Sequence, residues 1–189
     1  MGTARLEAFT DGVMAVIITI MAFELRPPDG GSLDAVSAQL PGLLVYVLSF
    51  AFVAIYWNNH HHLLRAANRI SGAVMWANLV FLFWLSLIPV LTEWLREEYR
   101  SALPAATYGC VALTAGFAFS ILTRTLIRAN GRDSAVARAV RSDIKGSASL
   151  AMYAAGVVLA FVSPWLAYAL YAGVSLMWFV PDRRFQQAG

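Results

Sequence analysis

An apolar run near the N-terminus sets the strongest limit on what this chain can fold into. Between Val13 and Phe23 the only polar residue is Thr19. Extended to residues 4–25, the segment is long enough as a helix, at about 1.5 Å per residue, to cross a hydrocarbon core of roughly 30 Å. The run therefore predicts a membrane-spanning helix.

Two carboxylates lie inside this predicted span, Glu7 and Asp11. A carboxylate at membrane depth is costly unless it is paired or hydrogen-bonded, so it marks a functional or assembly site by default. Glu7 is close enough to the start of the helix to lie at the level of the lipid headgroups, whereas Asp11 lies deeper. We expect Asp11 to accept hydrogen bonds from a neighbouring helix.

The composition of the whole chain agrees with an integral membrane protein. Of its 189 residues, 59% are hydrophobic and 13% are charged, and the apolar segments leave no room for a separate soluble domain. We expect one all-α transmembrane domain over residues 1–189. Nucleic-acid binding has no support, because the basic residues flank apolar segments and do not share one soluble face. No nucleophile–base pair or phosphate-binding loop appears, so we predict neither an enzyme nor a bound cofactor.

Hydropathy and turn signals predict six membrane helices, at residues 4–25, 41–65, 70–94, 104–128, 146–162 and 164–181. A short interfacial helix at 32–40, capped by Ser32, and a short amphipathic helix at 135–140 are predicted between them. Residues 93–100 form a charged outer loop in this scheme. The two halves of the chain show no internal repeat, so an inverted-repeat transporter finds no support.

The distribution of basic residues predicts the orientation of these helices. Only Arg26, Arg96 and Arg100 of the fourteen Lys and Arg residues fall on the outer side. The positive-inside rule then requires an even number of spans, with both termini in the cytoplasm. The inner residues are Arg5, Arg65, Arg69, Arg124, Arg128, Arg132, Arg138, Arg141, Lys145, Arg183 and Arg184.

One face of the first helix carries a stripe of large side chains. At 100° per residue the stripe collects Phe9, Gly12, Val16, Thr19, Ile20 and Phe23. Periodicity alone favours a seam packed inside a helix bundle over a pore face. It cannot select a pore face, because nearly every face of this helix is apolar.

The entry to the first helix carries a specific resemblance. Arg5, Phe9, Thr10 and Asp11 match the spacing R-x-x-x-F-S-D. That signature opens the first helix of the transmembrane protein 175 family, which comprises potassium channels of bacteria and of animal lysosomes; here Thr10 replaces Ser. The chain resembles the bacterial members, which have a single six-helix repeat. The resemblance implies a multi-pass protein of the bacterial inner membrane, in which four copies of the first helix surround the ion path of a homotetramer.

The resemblance also implies where the ion path narrows. In the family, bulky apolar side chains of the first helix form the constrictions. Counted from Asp11, these positions are Val16, Ile20 and Phe23, with Thr19 as a polar layer. Val16 is smaller than the family's usual Ile or Leu, so we expect a looser innermost constriction. The chain has no T-V-G-Y-G segment that could form a carbonyl filter. Potassium would then be favoured over other monovalent cations only modestly, because ions would lose part of their hydration shell in a narrow apolar neck that water tends to leave.

A polar cluster on the second helix also resembles the family. Trp57 is followed by two Asn residues and the run His60, His61 and His62, at the predicted depth of Asp11. Indole and imidazole groups can donate hydrogen bonds to carboxylate and hydroxyl oxygens. We therefore expect a network that joins the first two helices, within or across subunits, and involves Arg5, Phe9, Thr10, Asp11, Trp57, His60 and His61.

The three adjacent histidines leave alternatives open. Neighbouring side chains on a helix point 100° apart, so His60, His61 and His62 cannot ligate one ion, and we predict no metal site. Proton sensing stays possible, because imidazole charge changes near neutral pH. The alternative function is a proton-linked secondary transporter that uses Asp11 and the three histidines as a relay. A third possibility is a structural membrane subunit without transport of its own.

Overall fold

The computed structural model describes residues 2–140 and 144–179. Within them the chain forms eight helices: α1 (Thr3–Phe23), α2 (Leu33–Arg65), α3 (Gly72–Ser86), α4 (Ile88–Glu97), α5 (Ala102–Asn130), α6 (Ala135–Ala139), α7 (Ile144–Ala160) and α8 (Pro164–Phe179). The described chain is thus helical, as predicted. Four stretches are long and apolar enough to cross a membrane, namely α1, α2, α3 together with α4, and α5. Because only 17 residues of α7 and 16 of α8 lie within the described ranges, the count of six spans stays a prediction.

The second helix is longer than the sequence suggested. The Ser32 hydroxyl accepts a hydrogen bond of 3.2 Å from the backbone N–H of Ala35, so the expected cap is present. The helix that begins there runs unbroken through Pro41 to Arg65, and the separate short helix at 32–40 is wrong. A proline removes one backbone hydrogen bond. In apolar surroundings a continuous helix still satisfies its other backbone groups, whereas a break would expose several more.

The predicted helix at 70–94 is divided at Leu87, between α3 and α4. Pro89 lies in the first turn of α4 and has no N–H to donate to the carbonyl of Leu85, which explains the break. The helix then continues to Glu97, so the first half of the predicted outer loop at 93–100 is helical.

One end of the bundle, which we call the basic end, holds the α2–α3 loop and the C-terminus of α5. The side-chain oxygen of Asn130 accepts hydrogen bonds of 2.9 Å from the backbone N–H groups of both Asn68 and Arg69. Its amide donates to the carbonyl of Arg69 at 3.0 Å. This end carries the exposed residues Arg5, Arg65, Arg69, Arg124, Arg128, Arg132 and Arg138. Arg141, Arg183 and Arg184 lie outside the described residues.

The opposite end joins α1, α4 and α8. Arg26, which follows α1, lies 3.7 Å from the Glu93 carboxylate. Arg96 binds the same carboxylate through two nitrogens, at 2.9 Å for Nε. The Tyr168 hydroxyl of α8 donates to the backbone carbonyl of Tyr99 at 2.8 Å. The sequence assigned Arg26, Arg96 and Arg100 to one side of the membrane, and all three lie near this end.

The helices α5, α7 and α8 pack tightly against one another and support the α1–α4 part of the bundle. Tyr171 of α8 fills the space above Gly109 of α5 and Gly156 of α7. A Cβ added at Gly109 would lie 2.0 Å from its hydroxyl oxygen, and one added at Gly156 would lie 2.4 Å from its ring. Its hydroxyl donates to the carbonyl of Ala105 at 3.1 Å. Neither glycine can therefore be replaced without moving a buried aromatic ring.

Candidate functional site

One face of α1 is buried and the other is exposed. The buried residues recur every three to four positions, as expected for one face of a helix. This face packs against α2, α3 and α4. It consists of Leu6, Thr10, Met14, Ile17 and Met21.

The predicted stripe lies on the exposed side of α1. The exposed fraction is 49% for Phe9, 56% for Val16, 43% for Ile20 and 88% for Phe23. The Thr19 hydroxyl donates to the carbonyl of Val16 at 2.9 Å, which leaves the lone pairs of its oxygen available. The stripe is not a seam inside the protomer. It can face lipid, a second copy of the chain, or a path between copies.

A groove separates this stripe from the break between α3 and α4. Val16 and Ile20 line one wall of the groove, and Ser86 and Pro89 line the other. The Ser86 hydroxyl bonds to the carbonyl of Phe83 at 2.7 Å, so it is turned back into its own helix. The break at Leu87, between Ser86 and Pro89, thus lies beside the middle of the stripe.

Asp11 is bound by the second helix. The indole Nε1 of Trp57 donates a hydrogen bond of 3.0 Å to Asp11 Oδ1. The Trp57 ring also stacks on the His61 imidazole, with ring centroids 6.0 Å apart and an interplanar angle of 20°. The structure therefore brings Asp11 to the indole donor that the sequence proposed.

Glu7 pairs with a histidine one turn of α2 further on. His61 Nδ1 lies 2.7 Å from Glu7 Oε1, and both side chains are partly buried. The sequence suggested headgroup-level solvation for Glu7 and imidazole donors for Asp11 and Thr10. In the structure, the His61 imidazole contacts Glu7 instead.

A third connection runs through α3 and was missed from the sequence. Asn78 Nδ2 donates to Thr10 Oγ1 at 2.9 Å, and Asn78 Oδ1 lies 2.9 Å from His60 Nε2. All three side chains are fully buried. Because the amide oxygen can only accept, His60 Nε2 carries the proton. A lone Asn in an apolar helix signals an interhelical partner, and that signal could have identified Asn78.

Two residues of the predicted network lie outside it in the protomer. Arg5 is exposed, and in the part of the chain that the structure describes no side-chain hydrogen bond or salt bridge involves it. Phe9 is also exposed. Partners for these two across subunits stay a prediction. Over residues 2–140 and 144–179, no cluster of three or more His, Cys, Asp or Glu residues could hold a metal ion.

Directly after the end of α1 the chain carries a carboxyl group that the sequence did not single out. Burial raises the pKa of Glu24, and the neighbouring Glu93 carboxylate raises it further, while Arg96 lowers it. Among the described residues, Glu24 Oε2 has no hydrogen-bond partner. The position of Glu24 directly after the apolar run was the sequence signal that could have identified it.

The comparison with known families points to one group of channels. The model of the family described as "Endosomal/lysosomal potassium channel TMEM175" matches residues 5–89, from the first turn of α1 to the first turn of α4. A potassium channel of Chryseobacterium sp. (strain P1-3) is 42% identical over 188 residues, covering 100% of this chain and 98% of that protein. A potassium channel of Streptomyces collinus is 35% identical and covers 92% of this chain and 90% of its own.

More distant similarity extends to animals and to a solved structure. The endosomal/lysosomal proton channel TMEM175 of Homo sapiens is 29% identical over 188 residues, which span 90% of this chain and 37% of the human protein. The crystal structure of a lysosomal potassium-selective channel TMEM175 homolog from Chamaesiphon minutus superposes with a TM-score of 0.79 at 23% identity. It covers 94% of this chain and 96% of the other, so the fold is shared. Since the entry to α1 also carries the signature, and the Chryseobacterium relative matches over its whole length, this chain belongs to the TMEM175 family of channels.

Proposed function

We propose that this chain is the subunit of a cation channel whose main permeant is potassium, with other monovalent cations as minor permeants. The observation that carries the proposal is the exposed apolar stripe of α1. A helix whose opposite face is fixed by three polar connections presents Val16, Ile20 and Phe23 outside the protomer. The bacterial relatives are named potassium channels, which supports the same reading.

Four copies assemble so that the stripes of their α1 helices line a common axis. The number four comes from the family resemblance. The basic end faces the cytoplasm, because exposed arginines are retained on that side. The protein then crosses the bacterial inner membrane six times, with α3 and α4 forming one span.

Ion selection in this assembly depends on partial dehydration. Rings of Val16, Ile20 and Phe23 form a narrow apolar neck. Such a neck offers no groups that replace an ion's hydration water, so an ion passes it with only part of its hydration shell. The Thr19 hydroxyls supply acceptor oxygens within the neck. Potassium holds its water less tightly than sodium, so its passage costs less, and modest selectivity follows without a carbonyl filter.

The three polar connections position α1 and do not carry ions. They bind Glu7, Thr10 and Asp11, which occupy consecutive turns at the basic end of the helix. A neck of side chains changes its width when the helix that bears it shifts or rotates. Residues that fix α1 against α2 and α3 therefore set the radius of the neck from outside it.

The second candidate is a proton-linked transporter. The contact between His61 and Glu7 favours it, because proton relays in membrane proteins are built from neighbouring His and acidic side chains. Flux through a transporter saturates with substrate, depends on the proton gradient and is lost on Asp11→Asn. A channel conducts without saturation and responds to changes in the apolar stripe.

Potassium and sodium flux through purified protein in liposomes tests the proposal, with Ile20→Ala beside the wild type. Shortening the side chain at this position in all four subunits should widen the neck, raise flux and weaken the preference for potassium. Ile121→Ala is the matched control, since Ile121 is similarly exposed on α5. Unchanged selectivity in Ile20→Ala would place the ion path elsewhere. Saturable flux that follows a proton gradient and ignores this substitution would establish the transporter.

A further inference from the structure

A cavity of about 120 Å³ lies on the other side of α2, away from α1. Residues of α2, α5, α7 and α8 line it, and the end of α6 borders it at Ala139. Its lining combines five aromatic rings with apolar side chains and with polar ones that include His62 and Lys145. The rings belong to Phe52, Tyr56, Phe119, Tyr153 and Trp178.

The cavity exists because α2 stands away from the helices behind it. The backbone of α2 packs against α1, α4 and α8, while aromatic side chains bridge the gap to α5 and α7. Phe52 meets Tyr153 with ring centroids 6.0 Å apart, and Tyr56 meets Phe119 at 5.4 Å. Rigid rings cannot adapt their shape to fill the remaining space.

Two polar groups in the lining have unused hydrogen-bonding capacity. The Asn59 amide donates to the carbonyl of Ile55 at 2.8 Å, and its side-chain oxygen has no partner within the described chain. Thr107, Thr114 and Thr125 of α5 each donate to the carbonyl one turn earlier. Among the same described residues, the buried Thr123 hydroxyl makes no such bond.

We propose that this cavity binds a small uncharged amphiphile of the phenol class, with one aromatic ring and one hydroxyl. An apolar cavity of about 150 Å³ holds benzene, so the volume here suits a single ring. The ligand's hydroxyl donates to Asn59 Oδ1 and accepts from the Thr123 hydroxyl. The aromatic walls offer the edge-to-face contacts that rings prefer.

An occupant of this site acts on the part of α2 that holds α1. Tyr56 and Asn59 line the cavity, whereas Trp57 and His61, on another face of the same turns, bind Asp11 and Glu7. Displacing these turns changes the position of the first helix. This effect on ion flux rests on the proposed function. The binding of a ligand in the cavity does not depend on it.

Fluorescence quenching by 4-bromophenol tests the binding site, because Trp178 forms part of its wall. The purified full-length protein should show saturable quenching, and Trp178→Phe should lose that component. Thr123→Leu, which fills the cavity, should abolish it. Thr123→Val keeps the volume but removes the hydroxyl, and should weaken half-saturation by about threefold to tenfold, the loss expected for one hydrogen bond. Thr125→Leu makes the same change outside the cavity and should bind like the wild type.

Quenching that never saturates, or that is equal in Thr123→Leu and Thr125→Leu, would show partitioning into detergent and overturn the site. Native mass spectrometry could show a phospholipid that the wild type retains and Thr123→Leu loses. That result would overturn the phenol and identify an acyl chain as the occupant of the cavity. Saturable binding in a protein that conducts no ions would leave the site standing and refute the channel. Saturable binding to a conducting protein whose flux does not change would refute the coupling to α1.

Discussion

Asn78 on α3 donates a hydrogen bond of 2.9 Å to the hydroxyl of Thr10 on α1, across 68 positions of sequence. The oxygen of the same amide lies 2.9 Å from His60 Nε2. One buried side chain therefore connects three helices at the level of the signature. Because all three side chains are fully buried, Thr10 and His60 both depend on this one amide.

Asn78→Leu should destabilise the protein by about 1–3 kcal/mol, because the replacement is similar in size but leaves Thr10 and His60 unpaired. The free energy of unfolding or the thermal midpoint in detergent measures the loss. Asn68→Leu is the control, since Asn68 is exposed and only its backbone is bonded. Equal midpoints for the two variants would show that the amide does not link the helices in solution.

Trp57 and Asp11 should behave as a coupled pair. In a double-mutant cycle with Trp57→Phe and Asp11→Ala, we expect an interaction energy of about 1 kcal/mol, small for a charged acceptor because both groups are partly exposed. Chemical unfolding gives the four free energies. The fraction of protein in the assembled oligomer should fall along with stability. Strictly additive effects would mean that the indole does not bind the carboxylate.

Val16→Leu should reduce ion flux without reducing stability. Val16 is 56% exposed in the protomer, so a larger side chain meets no internal clash, whereas in the proposed tetramer the four added methylene groups would narrow the shared neck. Stability should stay within about 0.5 kcal/mol of the wild type, as for most surface substitutions. Val158→Leu on α7, also exposed, should change neither quantity. Undiminished flux in Val16→Leu would remove this position from the constriction.

Glu24→Gln should stabilise the protein at neutral pH. Burial and the Glu93 carboxylate raise the pKa of Glu24 in the folded state, against the opposing Arg96. The ionised form is therefore penalised on folding at pH values above the raised pKa, and the penalty vanishes below the unfolded pKa. The gain in thermal midpoint should shrink as the pH falls to about 4.

The charges facing Glu24 come from α4 and from the turn after α1, so the control must leave them in place. Arg26 and Glu97 complete the set of groups around Glu93 and Arg96. Glu98→Gln preserves all of them and should show no gain that depends on pH. A gain of equal size at about pH 4 and at about pH 7 would argue against titration of Glu24, because a glutamate changes charge between them.

The sequence by itself determined the helical character of the chain and which residues of α1 share one face. Continuous apolar runs can satisfy their backbone in lipid only as helices or closed barrels. The period of the helix places Phe9, Val16, Ile20 and Phe23 on one stripe whatever contacts the helix makes. These properties depend on neighbouring residues in one segment, which is why they are readable from sequence.

Only the tertiary structure decided which polar groups meet. Glu7 pairs with His61 and not with solvent, and Thr10 reaches His60 only through Asn78. Each pairing depends on how α1, α2 and α3 are rotated and shifted against one another. The continuity of α2 through Pro41 and the break at Leu87 were likewise set by context, since a proline removes one hydrogen bond and the surrounding helices decide whether the chain bends. Packing between segments that are distant in sequence determines these pairings and bends, and no pattern within one segment predicts that packing.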